Sequence, residues 1–304
     1  MQGRILFQKD TYFHIYQKTA DEFLLFYTVK DYLVFFMIIC LAARRYGIQV
    51  VGICLMPDHL HILIKAVSER KLTAFVSAYS KQFARINNEW YGRVGAVFNH
   101  NYGYAPKTGD KVIRTAIAYL YNNPVEKWLC KRAREYPWNF LAYCNSPHPF
   151  SDEIVFRTSR SVFREAIRTV KYQHKKGSIV SYGQLENLVK NLNSNEIKYL
   201  TDYIIKTYNC IDYAELLSHY ESYDKMLDAF ATVTVKEYDL NEDFTPGSDQ
   251  AYIKIYNYLK RITSGKDIRE ILSLTEEERR QLQMKIMRMR ISTERQSAKF
   301  LRFD

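Results

Sequence analysis

Residues 56–64, with the sequence MPDHLHILI, place two histidines in a segment that alternates like a β-strand. Because successive strand side chains point to opposite faces, His59 and His61 share one face of the predicted strand. Three aliphatic residues occupy the other face, which predicts a sheet that turns its apolar side toward a core. The two imidazoles can then bind one metal ion, although two ordinary half-buried histidines would give the same pattern.

Further along the chain, the segment AIAYLYNNPVEKW has helical character and carries Tyr119 and Asn123 at positions i and i+4. These positions lie on one helix face, so a phenol and an amide can approach the same ion. Tyr121 is the alternative nucleophile, but it points about 200° away from Tyr119 around the helix. A helical tyrosine often serves only for packing, and the chain contains 25 tyrosines. We expect Asn122 and Pro124 to end the helix, since proline cannot continue the hydrogen-bond ladder.

Basic residues are concentrated toward the two ends of the chain. Lys and Arg outnumber Asp and Glu by 44 to 33, which gives a formal net charge of +11. Residues 1–150 carry +9 and residues 251–304 carry +6, whereas residues 151–250 carry −4. This excess favours a nucleic-acid partner, although RNA or an anionic membrane would also fit the charge. The candidate contacts to DNA phosphates are Lys81, Arg85, Arg93 and Arg114. The first two could equally form a solvated helix face.

The cysteines suggest neither a zinc ribbon nor a disulfide framework. They are five in number and lack Cys-x-x-Cys spacing: Cys40, Cys54, Cys130, Cys144 and Cys210. An odd, scattered set favours a reduced cytoplasmic protein. The richest apolar run, residues 32–43, is shorter than the roughly 20 residues that cross a bilayer. With no signal-peptide pattern at the N-terminus, we expect a cytoplasmic location and no membrane partner.

Hydrophobic periodicity predicts an α+β domain over residues 1–150. Strands are expected at Tyr12–Lys18, Gln49–Leu55 and residues 60–66, and helices at Val29–Tyr46 and residues 72–91. This order indicates an antiparallel sheet with helices packed on one face, an α+β sandwich of the ferredoxin-like type. A hydrophobic content of 47% is sufficient for packed cores.

Residues 151–304 are expected to form a second, mostly helical domain. Within it, residues 272–304 resemble the first two helices of a helix-turn-helix from transposase-associated domains, with Ser292 or Thr293 capping the second helix. The match is partial, so DNA binding by this segment is an open expectation. The alternative is a helical bundle for dimerisation, which would make a homodimer.

Five segments between residues 14 and 143 occur in an order and at spacings that are typical of one protein family. They are HIYQKT, RRYGIQVVGICLMPDHLHILI, SKQFARINNEWYGRVG, AIAYLYNNPVEKWL and EYPWNFLAY. In this order and spacing the chain resembles the REP-associated tyrosine transposases, which are HUH single-tyrosine transposases of the IS200-like family. The resemblance implies the HUH endonuclease fold, with Tyr119 as the nucleophile. It also implies that His59, His61 and Asn123 bind Mg²⁺ or Mn²⁺.

The resemblance implies a strand transferase that acts on single-stranded or hairpin DNA through a 5′-phosphotyrosine intermediate. The alternatives are a DNA-binding regulator that has kept the fold, and a rolling-circle replication initiator or relaxase. Retention of the two histidines, the tyrosine and Asn123 favours the enzyme, and no GxxxxGK[ST] motif supports an initiator. One departure is Asn99, His100 and Asn101 in place of the family's basic Arg-Phe pair. His100 is a candidate phosphate donor or metal neighbour, or an ordinary loop residue.

Overall fold

The computed structural model describes residues 11–20, 23–65, 68–99, 102–232 and 248–303. A four-stranded sheet consists of β1 (Tyr12–Lys18), β2 (Gln49–Leu55), β3 (His59–Lys65) and β4 (Gly103–Lys107). The strand order is β2-β3-β1-β4, and each neighbouring pair is antiparallel. Tyr16 of β1 lies opposite His61 of β3, so the two side chains share one face of the sheet.

Helices α1 (Val29–Tyr46) and α2 (Glu69–Tyr91) cover the face of the sheet that carries its aliphatic side chains. The first helix begins where Asp31 accepts a hydrogen bond of 2.7 Å from the Thr28 backbone N–H. It ends at Gly47, whose φ of 62° is left-handed and costs glycine little. Ile15 and Ile62 are fully buried in this layer, and burying a side chain of this size contributes about 1.5–3 kcal/mol.

Helix α3 (Asp110–Glu126) lies on the opposite face of the sheet. Its Ile117 and Leu120 pack in one apolar cluster with Val51 of β2 and Leu63 of β3. The α+β class with an antiparallel sheet is confirmed. Where the sequence led us to expect helices on one face, the structure adds α3 to the second. The physical reason is that this face carries apolar residues beside its histidines, and they would be exposed without α3.

The prediction that α3 ends at Asn122 and Pro124 is wrong, because the helix continues to Glu126 with Pro124 inside it. Proline removes one N–H from the ladder, but hydrogen bonds resume immediately after it. The Lys127 N–H donates to the Asn123 carbonyl at 3.1 Å, and the Leu129 N–H donates to the Pro124 carbonyl at 2.9 Å. The helical geometry therefore includes Asn123 itself.

The chain beyond α3 is mostly helical in the part that the structure describes. It contains three short 3-10 helices (Ala133–Glu135, Pro137–Asn139 and Leu141–Cys144), α4 (Ser161–Lys175), α5 (Tyr182–Val189), α6 (Ser194–Tyr208), α7 (Tyr213–Leu217), α8 (Tyr223–Thr232), α9 (Gln250–Ile262), α10 (Ile268–Leu272), α11 (Glu276–Arg288) and α12 (Glu294–Leu301). Helices α4 to α6 share the apolar core of α1. Helices α9 to α12 form a further cluster with Leu24. A domain boundary near residue 150 stays a prediction.

Helices α11 and α12 occupy the segment for which a partial helix-turn-helix was expected. Thr293 caps α12 by accepting a hydrogen bond of 3.2 Å from the Gln296 backbone N–H. DNA recognition by this helix pair stays a prediction. Within the described ranges, no helix combines the length and apolar character needed to cross a bilayer. The cysteines are all free thiols.

Candidate active site

His59 and His61 lie beside each other on the sheet face that α3 covers. Their ring centroids are 5.0 Å apart and the ring planes are nearly perpendicular, at 86°. Tyr16 of β1 stacks on His61 with a centroid distance of 5.1 Å. His61 is fully buried and His59 is 8% exposed. The two imidazoles therefore share one small, largely enclosed site.

Each imidazole is held through its Nδ1 atom. His59 Nδ1 lies 2.6 Å from Asp58 Oδ1, and His61 Nδ1 lies 3.1 Å from His14 Nε2. Such contacts fix the orientation of a ring and make Nε2 the nitrogen that can bind a metal ion. Neither Asp58 nor His14 was predicted as a partner from the sequence. His14 could have been found, because the alternation of β1 puts it on the same face as Tyr16.

The histidine cluster has unusual proton affinities. Burial lowers the pKa of His61 well below its ordinary value, and His59 and His14 act in the same direction. Burial also lowers the pKa of His14 to about 3. Both rings are therefore neutral at pH 7, the form in which imidazole binds metal. Burial opposes the charge of Asp58, but His59 and Lys299 outweigh it and hold the pKa of that carboxyl well below its ordinary value.

Helix α3 brings Tyr119 and Asn123 to the histidines. Asn123 Nδ2 lies 3.1 Å from His61 Nε2. The Tyr119 ring is edge-on to His61 at a centroid distance of 5.3 Å and edge-on to His14 at 5.8 Å. Tyr119 is half-buried. The i, i+4 relationship thus places both side chains against the same imidazole.

Tyr121, the alternative nucleophile, lies in the apolar layer between α3 and the sheet. It is 1% exposed, and its hydroxyl donates to the Val51 carbonyl at 3.5 Å. Burial raises the pKa of Tyr121 well above its ordinary value, which opposes formation of a phenolate. This environment suits a packing role and favours Tyr119 as the reactive residue.

The donor set suits a divalent ion. Across the described ranges, no group of three or more His, Cys, Asp or Glu side chains is arranged to hold a metal. The alternative set is His59, His61 and Asn123, two imidazoles and an amide. Asn123 Oδ1 is buried and has no hydrogen-bond partner among the described residues, and a buried oxygen left so is costly unless a ligand satisfies it. A set of nitrogen and oxygen donors that leaves coordination positions of the ion vacant fits Mg²⁺ or Mn²⁺.

Three of the four candidate DNA contacts lie away from the histidines. Lys81 and Arg85 are exposed on α2, on the other side of the sheet, and Arg85 pairs with Glu89 at 3.8 Å. The guanidinium of Arg93 lies over the Phe23 ring at 5.1 Å from its centroid. The structure does not bring these three residues to the Tyr119 side of the sheet.

The fourth candidate, Arg114, lies on the same helix as Tyr119. It is exposed and pairs with Asp110 at 3.1 Å. It also lines a cleft of about 670 Å³ between α3 and the α7 to α8 region, where Lys111 and Lys225 add positive charge. The lining also includes Glu221, and the cleft carries a net positive charge along the helix of Tyr119.

The departure at Asn99, His100 and Asn101 can be located only in part. The Asn99 backbone N–H donates to the Lys18 carbonyl at 3.1 Å, which ties the loop to the end of β1. His100 and Asn101 lie outside the described residues. A role for His100 as a phosphate donor stays a prediction.

Comparison with known proteins matches residues 9–123 to the family described as Transposase IS200 like. Residues 9–123, which are less than half of the chain, are similar to that family and form what we call the IS200-like segment. Among solved structures, the chain is similar to a REP-associated tyrosine transposase bound to a REP hairpin. That likeness has 15% sequence identity and a TM-score of 0.41, and covers 53% of this chain and 95% of the other. No curated protein matches. The IS200-like segment contains β1 to β4 and α3 as far as Asn123, while α4 to α12 lie outside it.

Proposed function

We propose that this protein is a metal-dependent single-strand DNA transposase and endonuclease, which cleaves and rejoins DNA through a 5′-phosphotyrosine intermediate. The observation that carries the proposal is the convergence of Tyr119 and Asn123 on His61. The IS200-like family match supports it, because the match includes all of these residues.

His59, His61 and Asn123 would hold a divalent ion, Mg²⁺ or Mn²⁺. When bound, such an ion polarises a phosphate oxygen and offsets the negative charge that develops on it. Asp58 and His14 keep the two imidazoles in a fixed orientation through Nδ1. A closed zinc site would need four N or S ligands, which this donor set does not supply.

Tyr119 supplies the nucleophile. Its phenol loses a proton, and the oxygen attacks the scissile phosphorus in line with the bond to the 3′ oxygen. That P–O bond breaks, and the leaving oxygen takes up a proton to become a free 3′-OH. The 5′ end remains joined to Tyr119. Since one phosphoester replaces another, a second 3′-OH can attack the intermediate and rejoin DNA without ATP.

Single-stranded or hairpin DNA is the proposed substrate. The net charge of +9 over residues 1–150 supports a phosphate-rich partner. The cleft lined by Lys111, Arg114 and Lys225 offers such a surface on the Tyr119 helix. Lys81, Arg85 and Arg93 remain candidate contacts for parts of the DNA that reach beyond the active site.

The test is a covalent adduct assay with the full chain, Mn²⁺ and end-labelled single-stranded DNA that carries the flanking repeats of its own gene. We expect a protease-sensitive adduct on a denaturing gel with the parent protein and with the control Tyr121→Phe, and none with Tyr119→Phe. Chelation of the metal should abolish the adduct. Cleavage by Tyr119→Phe at the parent rate would refute the assignment of Tyr119 as the nucleophile. If the parent protein forms no adduct but binds duplex DNA tightly, the result would favour the alternative function, a DNA-binding regulator that has kept the fold.

A further inference from the structure

A lysine from the last described helix contacts the residue that holds His59. Lys299 of α12 has its Nζ atom 2.5 Å from Asp58 Oδ2. The other carboxylate oxygen, Asp58 Oδ1, lies 2.6 Å from His59 Nδ1. The side chains of Lys299 and Asp58 are 15% and 19% exposed. The Asp58 carboxylate thus contacts both the Lys299 ammonium group and the His59 imidazole, and these groups are largely buried.

The position of α12 is fixed by packing that does not involve this contact. Phe300 and Leu301 are buried in the apolar cluster of α9 to α12. The Phe300 carbonyl also accepts a hydrogen bond of 3.1 Å from the Tyr27 hydroxyl, which lies just before α1. The packing of α12 therefore fixes the position of Lys299 beside Asp58.

A carboxylate that binds an imidazole Nδ1–H orients the ring and directs Nε2 toward the metal. The carboxylate can do this only while its own orientation is fixed. Asp58 sits in the turn between β2 and β3, outside both strands. The ladder bonds of the sheet therefore do not fix its side chain, whereas the bond from Lys299 does.

We propose that Lys299 is a positioning residue for the metal centre, which acts through Asp58 on His59. This rests on the proposed function in so far as His59 binds a metal ion. Its consequence is that α9 to α12, which lie outside the IS200-like segment, contribute to metal affinity. A plain structural tether would stabilise the fold without changing metal binding.

The test measures Mn²⁺ binding to the full chain without DNA, by the EPR signal of free Mn²⁺. Lys299→Met keeps the aliphatic stem and removes the charge, and we expect it to weaken Mn²⁺ binding by about 10-fold. Lys299→Arg should bind close to the parent. The control Lys285→Met, at an exposed lysine of α11, should leave binding unchanged. Unchanged binding by Lys299→Met would overturn the proposal.

A double-mutant cycle identifies the route. If Lys299 acts through Asp58, then adding Lys299→Met to Asp58→Asn should not weaken Mn²⁺ binding further. Additive losses would overturn the proposed route. Circular dichroism checks that each variant is folded, and if Lys299→Met is not, Lys299→Gln takes its place in the same titration with the same deciding outcomes.

The adduct assay separates this inference from the proposed function. Weaker Mn²⁺ binding by Lys299→Met, together with no Tyr119 adduct from the parent, would refute the proposed function and keep the inference. A Tyr119 adduct from the parent, together with Mn²⁺ binding that Lys299→Met does not change, would support the proposed function and refute the inference. A parent that binds no Mn²⁺ would overturn the inference and the metal part of the proposed function.

Discussion

Asn123 and His61 stand 62 positions apart in the chain, yet Asn123 Nδ2 lies 3.1 Å from His61 Nε2. This contact joins α3 to β3, and with the neighbouring Tyr119 it defines the candidate active site. The amide oxygen of Asn123 is buried and has no hydrogen-bond partner in the described part of the chain. The contact and the unsatisfied oxygen together make Asn123 the most informative residue to change.

We predict that Asn123→Leu weakens Mn²⁺ binding at least about 10-fold, because it removes an oxygen donor and leaves only two imidazoles. Asn123→Asp keeps an oxygen at this place and adds a negative charge, so it should retain binding. Titration of the apo-protein with Mn²⁺ measures both. Parent-like affinity in Asn123→Leu would exclude the amide from the donor set.

Gly52 and Tyr121 are expected to be coupled in stability. A Cβ at Gly52 would lie 3.1 Å from the Tyr121 hydroxyl and 3.4 Å from a methyl carbon of Leu120. Gly52→Ala should therefore lower the free energy of unfolding by about 1–3 kcal/mol, the usual cost of overpacking. Adding Tyr121→Phe removes the closest atom and should recover part of this loss in urea denaturation.

The control is Gly183→Ala in α5, where a Cβ would meet no heavy atom within 4 Å among the described residues. This change should stabilise the protein by about 0.5–1 kcal/mol, since alanine loses less backbone entropy in a helix. Equal effects of the two glycine substitutions, or no recovery in the double variant, would contradict the proposed close contact.

Glu126, in the last turn of α3, should make stability depend on pH. Burial raises the pKa of this carboxyl to about 7. Because the pKa of the folded state exceeds that of the unfolded state, the contribution of Glu126 to stability is present at acidic pH and is lost as pH rises toward about 7. Glu126→Gln should remove this loss. Its stability relative to the parent should rise between pH 4.5 and 8 in urea denaturation, and a constant difference would contradict the shift.

Arg114 and Lys81 should differ in their effect on DNA binding. Arg114 lies on the Tyr119 helix beside the basic cleft, whereas Lys81 lies on α2, on the other side of the sheet. We predict that Arg114→Ala weakens binding of single-stranded DNA and lowers the slope of log affinity against log salt by about 0.7. Lys81→Ala should change both less. Fluorescence anisotropy over a salt series measures the two slopes, and a larger effect of Lys81→Ala would move the DNA path to α2.

Local pattern determined much of the part of this protein that carries the candidate active site. The alternation of β1, β2 and β3 predicted the strands almost to the residue, and it put His59 and His61 on one face. The i, i+4 spacing likewise put Tyr119 and Asn123 on one face of α3. These features depend on backbone geometry over a few residues, which the sequence displays directly.

Only the tertiary structure decided which of these faces meet. The sequence pattern does not reveal that α3 covers the histidine face of the sheet, that His14 contacts His61, or that Lys299 contacts Asp58. Such contacts depend on how separate elements pack, because burial of apolar surface is non-directional and fixes no partner for a given side chain. The sequence by itself therefore determined the candidate donors of the site, and packing decided how they are arranged and which residues hold them in place.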